Sequence, residues 1–138
     1  MQVAVANAEA GQVETGLEIL RELSAWTEQS GQHWLDAELY RVQGELLLRC
    51  DPPNVSSSED ALNRALEIAR SQQTKTFELR SALGLARLYS ASGRAGVSEV
   101  LAPVLADFDT GQDLPEIQEA EKLLKREHYA SQPFRIRL

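Results

Sequence analysis

Residues 37–49 read AELYRVQGELLLR and residues 61–70 read ALNRALEIAR, with the loop Asp51-Pro52-Pro53-Asn54-Val55 between them. In the first string Leu39, Val42 and Leu46 recur at steps of three and four, so they share one face of a helix. Leu62, Ala65, Leu66 and Ala69 do the same in the second. Two adjacent prolines cannot continue a helix, because proline lacks the donor and clashes with the preceding turn. The stretch therefore reads as two amphipathic helices folded back on each other: a helical hairpin.

Working outward, the same period continues in both directions. Leu17, Ile19, Leu20, Leu23 and Trp26 predict a helix at 12–30, and the string just quoted extends to 33–50 and 57–72. Leu79, Leu83, Ala86 and Tyr89 mark a helix at 74–92, and Val97, Val100, Leu101, Val104 and Phe108 one at 95–109. Ile117, Ala120, Leu123 and Leu124 mark a last helix at 114–127, and residues 2–10 read as the tail end of one more. No segment alternates at period two, so the expected fold class is all-α.

The punctuation agrees. Gly11, Gly31 and Gly93 fall where helices should stop, since glycine takes the left-handed C′ conformation without a Cβ clash. Ser56 and Glu59 have the Ser-x-x-Glu spacing of a capping box. Asp113 is placed to cap the last helix, with Pro115 in its first turn. Pro103 lies inside a periodic helix and removes the bond to the carbonyl of Glu99, which predicts a kink.

The chain has 138 residues, the size of one domain, and can bury a core of ordinary size. No apolar run approaches the ~20 residues of a membrane span, and no basic-then-apolar leader opens the chain. The single cysteine, Cys50, excludes an internal disulfide and suits a reducing, cytoplasmic setting. A net charge of −7 disfavours both nucleic acid and anionic lipid, so the expected partner is a protein or peptide.

Small residues recur where paired backbones would approach closely. In the first helices of successive hairpins these are Ala4, Gly44 and Ala86, spaced by 40 and 42. In the second helices they are Gly16, Ser58 and Ser98, spaced by 42 and 40. Tyr40, Gly44 and Leu47, then Ser58, Leu62 and Ala65, partly fill the tetratricopeptide pattern, with Gln43 in place of its usual leucine. The next repeat offers Ala82, Leu85, Ala86 and Tyr89, then Ser98, Ala102 and Leu105.

The ordered strings at 37–49 and 61–70, ELRSALGLARLYSASGR (78–94), LAPVLADF (101–108) and DLPEIQEAEKLL (113–124) resemble the C-terminal tetratricopeptide region of large bacterial multidomain signalling ATPases. In that family a nucleotide-cyclase or helix-turn-helix output domain and an ATPase module precede the repeats. The resemblance implies a solenoid of about three helical hairpins plus a C-terminal capping helix over residues 1–127, with 128–138 as a tail. It also implies that the chain is a piece or a short relative of such a protein, serving as its regulatory, sensor or partner-binding arm. The cyclase, the nucleotide loop and the DNA-binding helices have no counterpart among these residues, so no such activity is carried over.

Nothing in the sequence equips an enzyme. His33 and His128 are far apart and lack a second ligand at helical spacing, so neither a metal nor another cofactor is expected. Cys50 stands beside Asp51, which works against a thiolate. The candidate site is instead a partner groove on the first helices of the hairpins: Glu38, Arg41, Glu45 and Arg49 from one, Arg80 and Arg87 from the next. Four arginines on one side of an acidic chain could fork onto the carboxylates of an acidic peptide. The plainer reading is a row of solvated helix pairs, Glu45 with Arg49 and Glu38 with Arg41. Trp26 and Trp34, flanking Gly31, are expected as core anchors between repeats.

At the N-terminal end the pattern begins in mid-helix at Val3 and Ala4, without a polar capping helix. An apolar face formed by Val3, Val5, Ala6 and the outer side of helix 12–30 is expected to pair copies into a homodimer. The competing architecture is a compact helical bundle that binds a small apolar ligand in its core.

Overall fold

A computed structural model describes residues 12–50, 52–108 and 114–131. Six helices run through them: α1 Val13–Ser30, α2 Asp36–Leu48, α3 Val55–Ser71, α4 Lys75–Ala91, α5 Val97–Leu105 and α6 Pro115–Ser131. The described residues contain no strand. Each helix packs against the next in sequence, as short connections require. Beyond neighbours, α2 packs on α4 and α4 on α6, whereas α1 and α3, or α3 and α5, make no close backbone approach. The even-numbered helices therefore lie side by side; α3 packs on both α2 and α4, α5 on both α4 and α6, and α1 on α2.

Helix ends follow local chemistry. Gly31 closes α1 in the left-handed conformation, φ 72°, with its N–H bonded to the Thr27 carbonyl 2.9 Å away. The start of α3 departs from the capping-box expectation. Asn54 is the cap, its side-chain oxygen accepting from the Ser57 N–H at 3.3 Å, and Glu59 turns elsewhere. The fifth helix is shorter than the 95–109 expected. Beyond Pro103 the backbone completes one helical bond, Ala106 to Ala102, and then tightens to bonds of three residues' span, Asp107 to Val104 and Phe108 to Leu105. The last helix, by contrast, runs past 127 into the segment expected as a tail. The expected helix at 2–10, the stop at Gly11 and the cap at Asp113 lie outside the described residues.

Two clusters form the interior. The smaller joins Leu20 of α1 to Leu39, Val42 and Leu46 of α2. The larger runs from Leu62 and Leu66 of α3 through α4 and α5 to Ile117, Ala120 and Leu123 of α6. Leu62, fully buried, is the knob at the junction. A Cβ added at Gly44 of α2 would come within 2.7 Å of Leu62 Cγ, and one added at Gly84 of α4 within 2.7 Å of Leu62 Cδ2. Ser58 Oγ donates to the Gly44 carbonyl at 2.7 Å, so these two small residues meet where α2 crosses α3.

Trp26 and Trp34 are not core anchors. They are 52% and 61% exposed. Trp26 stands six residues from buried Leu20, about 240° round the helix, and Trp34 lies in the turn before α2.

A carboxylate from α6 fixes the start of α5. Glu127 accepts from the backbone N–H groups of Gly96, Val97 and Ser98 at 3.2, 2.9 and 2.9 Å. These are donors a helix start leaves unpaired. Glu127→Ala should therefore cost about 1–2 kcal/mol, the size of a lost cap. Denaturant titration checks this; an unchanged midpoint would show that water replaces the carboxylate at no cost.

Candidate functional site

The side-by-side helices α2, α4 and α6 bring five of the six predicted groove residues into one ion-pair ladder. On α2, Arg41 forks onto Glu38 at 2.8 and 2.9 Å and reaches Glu45 at 2.9 Å. On α4, Arg80 bridges Glu38 of α2 at 3.4 Å and Glu116 of α6 at 3.5 Å. Two helical turns along, Arg87 bridges Glu45 at 3.5 Å and forks onto Glu119 of α6. The two rungs are thus Glu38–Arg80–Glu116 and Glu45–Arg87–Glu119. Arg49 does not join them: it caps α2 at its C-terminal end, exposed, with no ion pair among the described residues. The solvated pair expected between Glu45 and Arg49 does not form either, because Glu45 is turned to Arg41 and Arg87.

Burial and charge shape these pairs. Glu38 is only 7% exposed and accepts from two arginines. Desolvation alone would lower the Arg41 pKa, but hydrogen bonds with Glu38 and Glu45 and the charges of both carboxylates outweigh it and raise it. Hydrogen bonding to Glu119 raises Arg87, and the same bonds from Arg87 hold Glu119 below its ordinary value. The ladder opposes four glutamates to three arginines, so the face is nearly charge-balanced. Donors remain on it. Arg80 uses two of the five guanidinium N–H groups on these carboxylates and Arg87 uses three.

Glu116 and Glu119 of the last helix are not among the groove residues expected from the sequence. The available signal was the repeat itself, since Glu38 with Arg80 and Glu45 with Arg87 are each separated by the same 42 residues as Gly44 and Ala86. A second cluster was not legible. Glu59 of α3 accepts from both Nη atoms of Arg94 at 3.0 Å and from the Tyr89 hydroxyl at 3.2 Å, while Arg94 lies over the Tyr89 ring, 4.7 Å from its centroid. Hydrogen bonds from Arg94, with lesser help from its charge and from Tyr89, lower Glu59; desolvation, then Glu59's charge, raises Tyr89.

These shifts set a pH window. Glu59 and Glu119 hold their protons less tightly when folded, so on acidification the unfolded chain protonates first, from about 4.5 downward. Their contribution is complete above that value and fades below it. Tyr89 acts oppositely: the unfolded chain loses its proton first as pH rises past about 10. Denaturation midpoints followed from acid to alkali should form a plateau between these limits. A Glu59→Gln, Glu119→Gln double variant should show a shallower acid limb, and an acid limb of unchanged slope would exclude both carboxylates as its source.

Other groups have local roles. His33 Nδ1 lies 2.8 Å from Asp36 Oδ2 at the start of α2, and Cys50 Sγ donates to the Leu46 carbonyl at 3.7 Å. Among the described residues no group of three or more His, Cys, Asp or Glu could hold a metal ion. No described helix is long and apolar enough to cross a membrane. Two clefts are open at the surface and charged at their rims: one of about 390 Å³ between α1 and α2, one of about 550 Å³ at the α4–α5 turn. Neither is the enclosed apolar cavity that a bundle binding a small apolar ligand calls for. Val3, Val5 and Ala6, on which the expected homodimer rests, lie outside the described residues. On the described part of that surface Ile19 and Leu23 are half-buried and Trp26 is exposed.

No protein-family model matches the chain, and comparisons with curated proteins and with solved structures give no match.

Proposed function

We propose that this chain is a non-catalytic protein-interaction module of the tetratricopeptide kind, acting as the regulatory or partner-binding arm of a bacterial signalling ATPase or transcriptional regulator. The observation that carries it is the continuous face of α2, α4 and α6, helices that pack on one another in sequence-alternate order. Stacked hairpins that cannot bury their own apolar faces produce such a surface. Its partner is a polypeptide. The unused N–H donors of Arg80 and Arg87 suit backbone carbonyls or carboxylates, while Glu38, Glu45, Glu116 and Glu119 reject a strongly acidic segment that offers nothing to them.

The test compares capture of a partner by the immobilised 138-residue chain and by an Arg80→Ala, Arg87→Ala double variant. Both side chains are half-exposed, so stability should fall by no more than about 1 kcal/mol per residue. Capture should be lost. A control in exposed Arg64, paired only with Glu67, should bind as the unaltered chain does. Equal capture by all three proteins would rule out the ladder face as the interaction surface.

A further inference from the structure

A shift of 42 residues lays the α1–α2 pair over the α3–α4 pair and exposes a set of differences between them. In the α3–α4 hairpin, Leu62, Leu66, Ala82 and Leu85 are buried and the space between the helices is filled. At its rim Arg70 Nε donates to Glu78 Oε2 at 3.2 Å. Forty-two residues earlier stand Leu20, Ser24, Tyr40 and Gln43, and the rim positions are Glu28 and Asp36. Ser24 and Gln43 thus replace two leucines, Tyr40 replaces an alanine and lines the opening that the polar residues leave, and a carboxylate replaces the arginine. The result is the cleft of about 390 Å³, walled by Leu17, Leu39 and Leu47 with Glu28 and Asp36 on its lining. Its size is at the lower end of small-ligand pockets, ~300–1,000 Å³. Asp36 has one oxygen on His33, while the other, Oδ1, is buried with no hydrogen-bond partner.

We propose that this cleft is a binding site for an arginine side chain presented by a partner polypeptide. The chain supplies the template for the interaction in its next hairpin, where Arg70 fills the equivalent place against Glu78. An arginine has the required form: an aliphatic stem for the leucine walls and a planar fork for Asp36 and Glu28. The lining itself favours a cation, since Glu28 and Asp36 outnumber its one basic residue, Arg21, and α1 carries Glu14, Glu18 and Glu22 as well. The site is separate from the ladder. Tyr40 and Gln43 each lie two residues from Glu38 or Glu45, about 200° round α2.

The experiment follows backbone amide resonances of the whole chain during titration with Nα-acetyl-arginine amide, with the neutral isostere Nα-acetyl-citrulline amide as control. Saturable shifts at Leu17, Leu39 and Tyr40 are expected with the arginine compound alone. Asp36→Asn should weaken the interaction about tenfold, the loss of a hydrogen bond to a charged group. Glu28→Arg installs the equivalent of Arg70 and should abolish binding while leaving the fold intact, with a raised melting temperature as the mark of the new internal pair. Absence of saturable shifts in the unaltered chain, equal response to the citrulline compound, or undiminished binding by Glu28→Arg would each overturn the assignment. None of these readouts involves α4 or α6, so failure here leaves the ladder untouched.

Discussion

Truncating Leu62 to alanine should destabilise the chain by roughly 2–5 kcal/mol, the range for deleting a buried leucine side chain. The upper half of that range applies because of what surrounds it. Leu62 is fully buried, and two of its neighbours are backbone rather than side chain, at Gly44 of α2 and Gly84 of α4. A cavity lined by flexible side chains collapses in part. One walled by two glycines can close only if whole helices shift, and α2, α3 and α4 are each held by other contacts. Against a total stability of about 5–15 kcal/mol for a domain of this size, the loss should bring the denaturant midpoint down by about a quarter or more with little change in slope. A loss below about 1 kcal/mol would mean that the three helices do not close tightly on Leu62.

Much of this architecture was legible because helices announce themselves locally. Period and breakers placed all six described helices, and the errors in side-chain pairing lie where a nonlocal contact decides. The capping box at Ser56 was a sound local reading, but Glu59 is drawn off by Arg94 and Tyr89, 30 or more residues away. Trp26 and Trp34 are large and apolar, which argues for burial, yet their place is set by how far round α1 or into a turn they fall. In the candidate site, charge type and helix face located Glu38, Arg41, Glu45, Arg80 and Arg87, since those follow from period alone. Which carboxylate each arginine selects depends on the sideways packing of α2, α4 and α6, and only a repeat spacing of 42 hinted at it. Arg49 shows the limit of the face argument: it has the right spacing but stands at the end of α2, beyond the rungs.

Replacing Gly44 by leucine tests the same crossing from the opposite side, and about 3 kcal/mol or more of destabilisation is expected. The first added atom already fails to fit. A Cβ there would stand 2.7 Å from Leu62 Cγ and 3.1 Å from the Ser58 backbone carbonyl oxygen. Cγ is the branch point of Leu62, so rotating its methyl groups does not move it away, and the carbonyl belongs to α3 itself. Room can come only from separating α2 and α3, which stretches the 2.7 Å bond from Ser58 Oγ to the Gly44 carbonyl and leaves a buried hydroxyl without its partner. Gly84 provides the contrast. Its nearest obstacle is Leu62 Cδ2, the end of a flexible side chain, so Gly84→Ala requires one rotamer adjustment of about 0.5–1.5 kcal/mol. The alanine also returns about 1 kcal/mol of helix propensity, which offsets most of that cost. Equilibrium denaturation of the two variants should therefore separate them by at least about 2 kcal/mol. Equal effects at both glycines, or a Gly44→Leu protein as stable as the parent, would show that α2 does not pack on α3 through Gly44 and Ser58, and the alignment of the hairpins by small residues would fall with it.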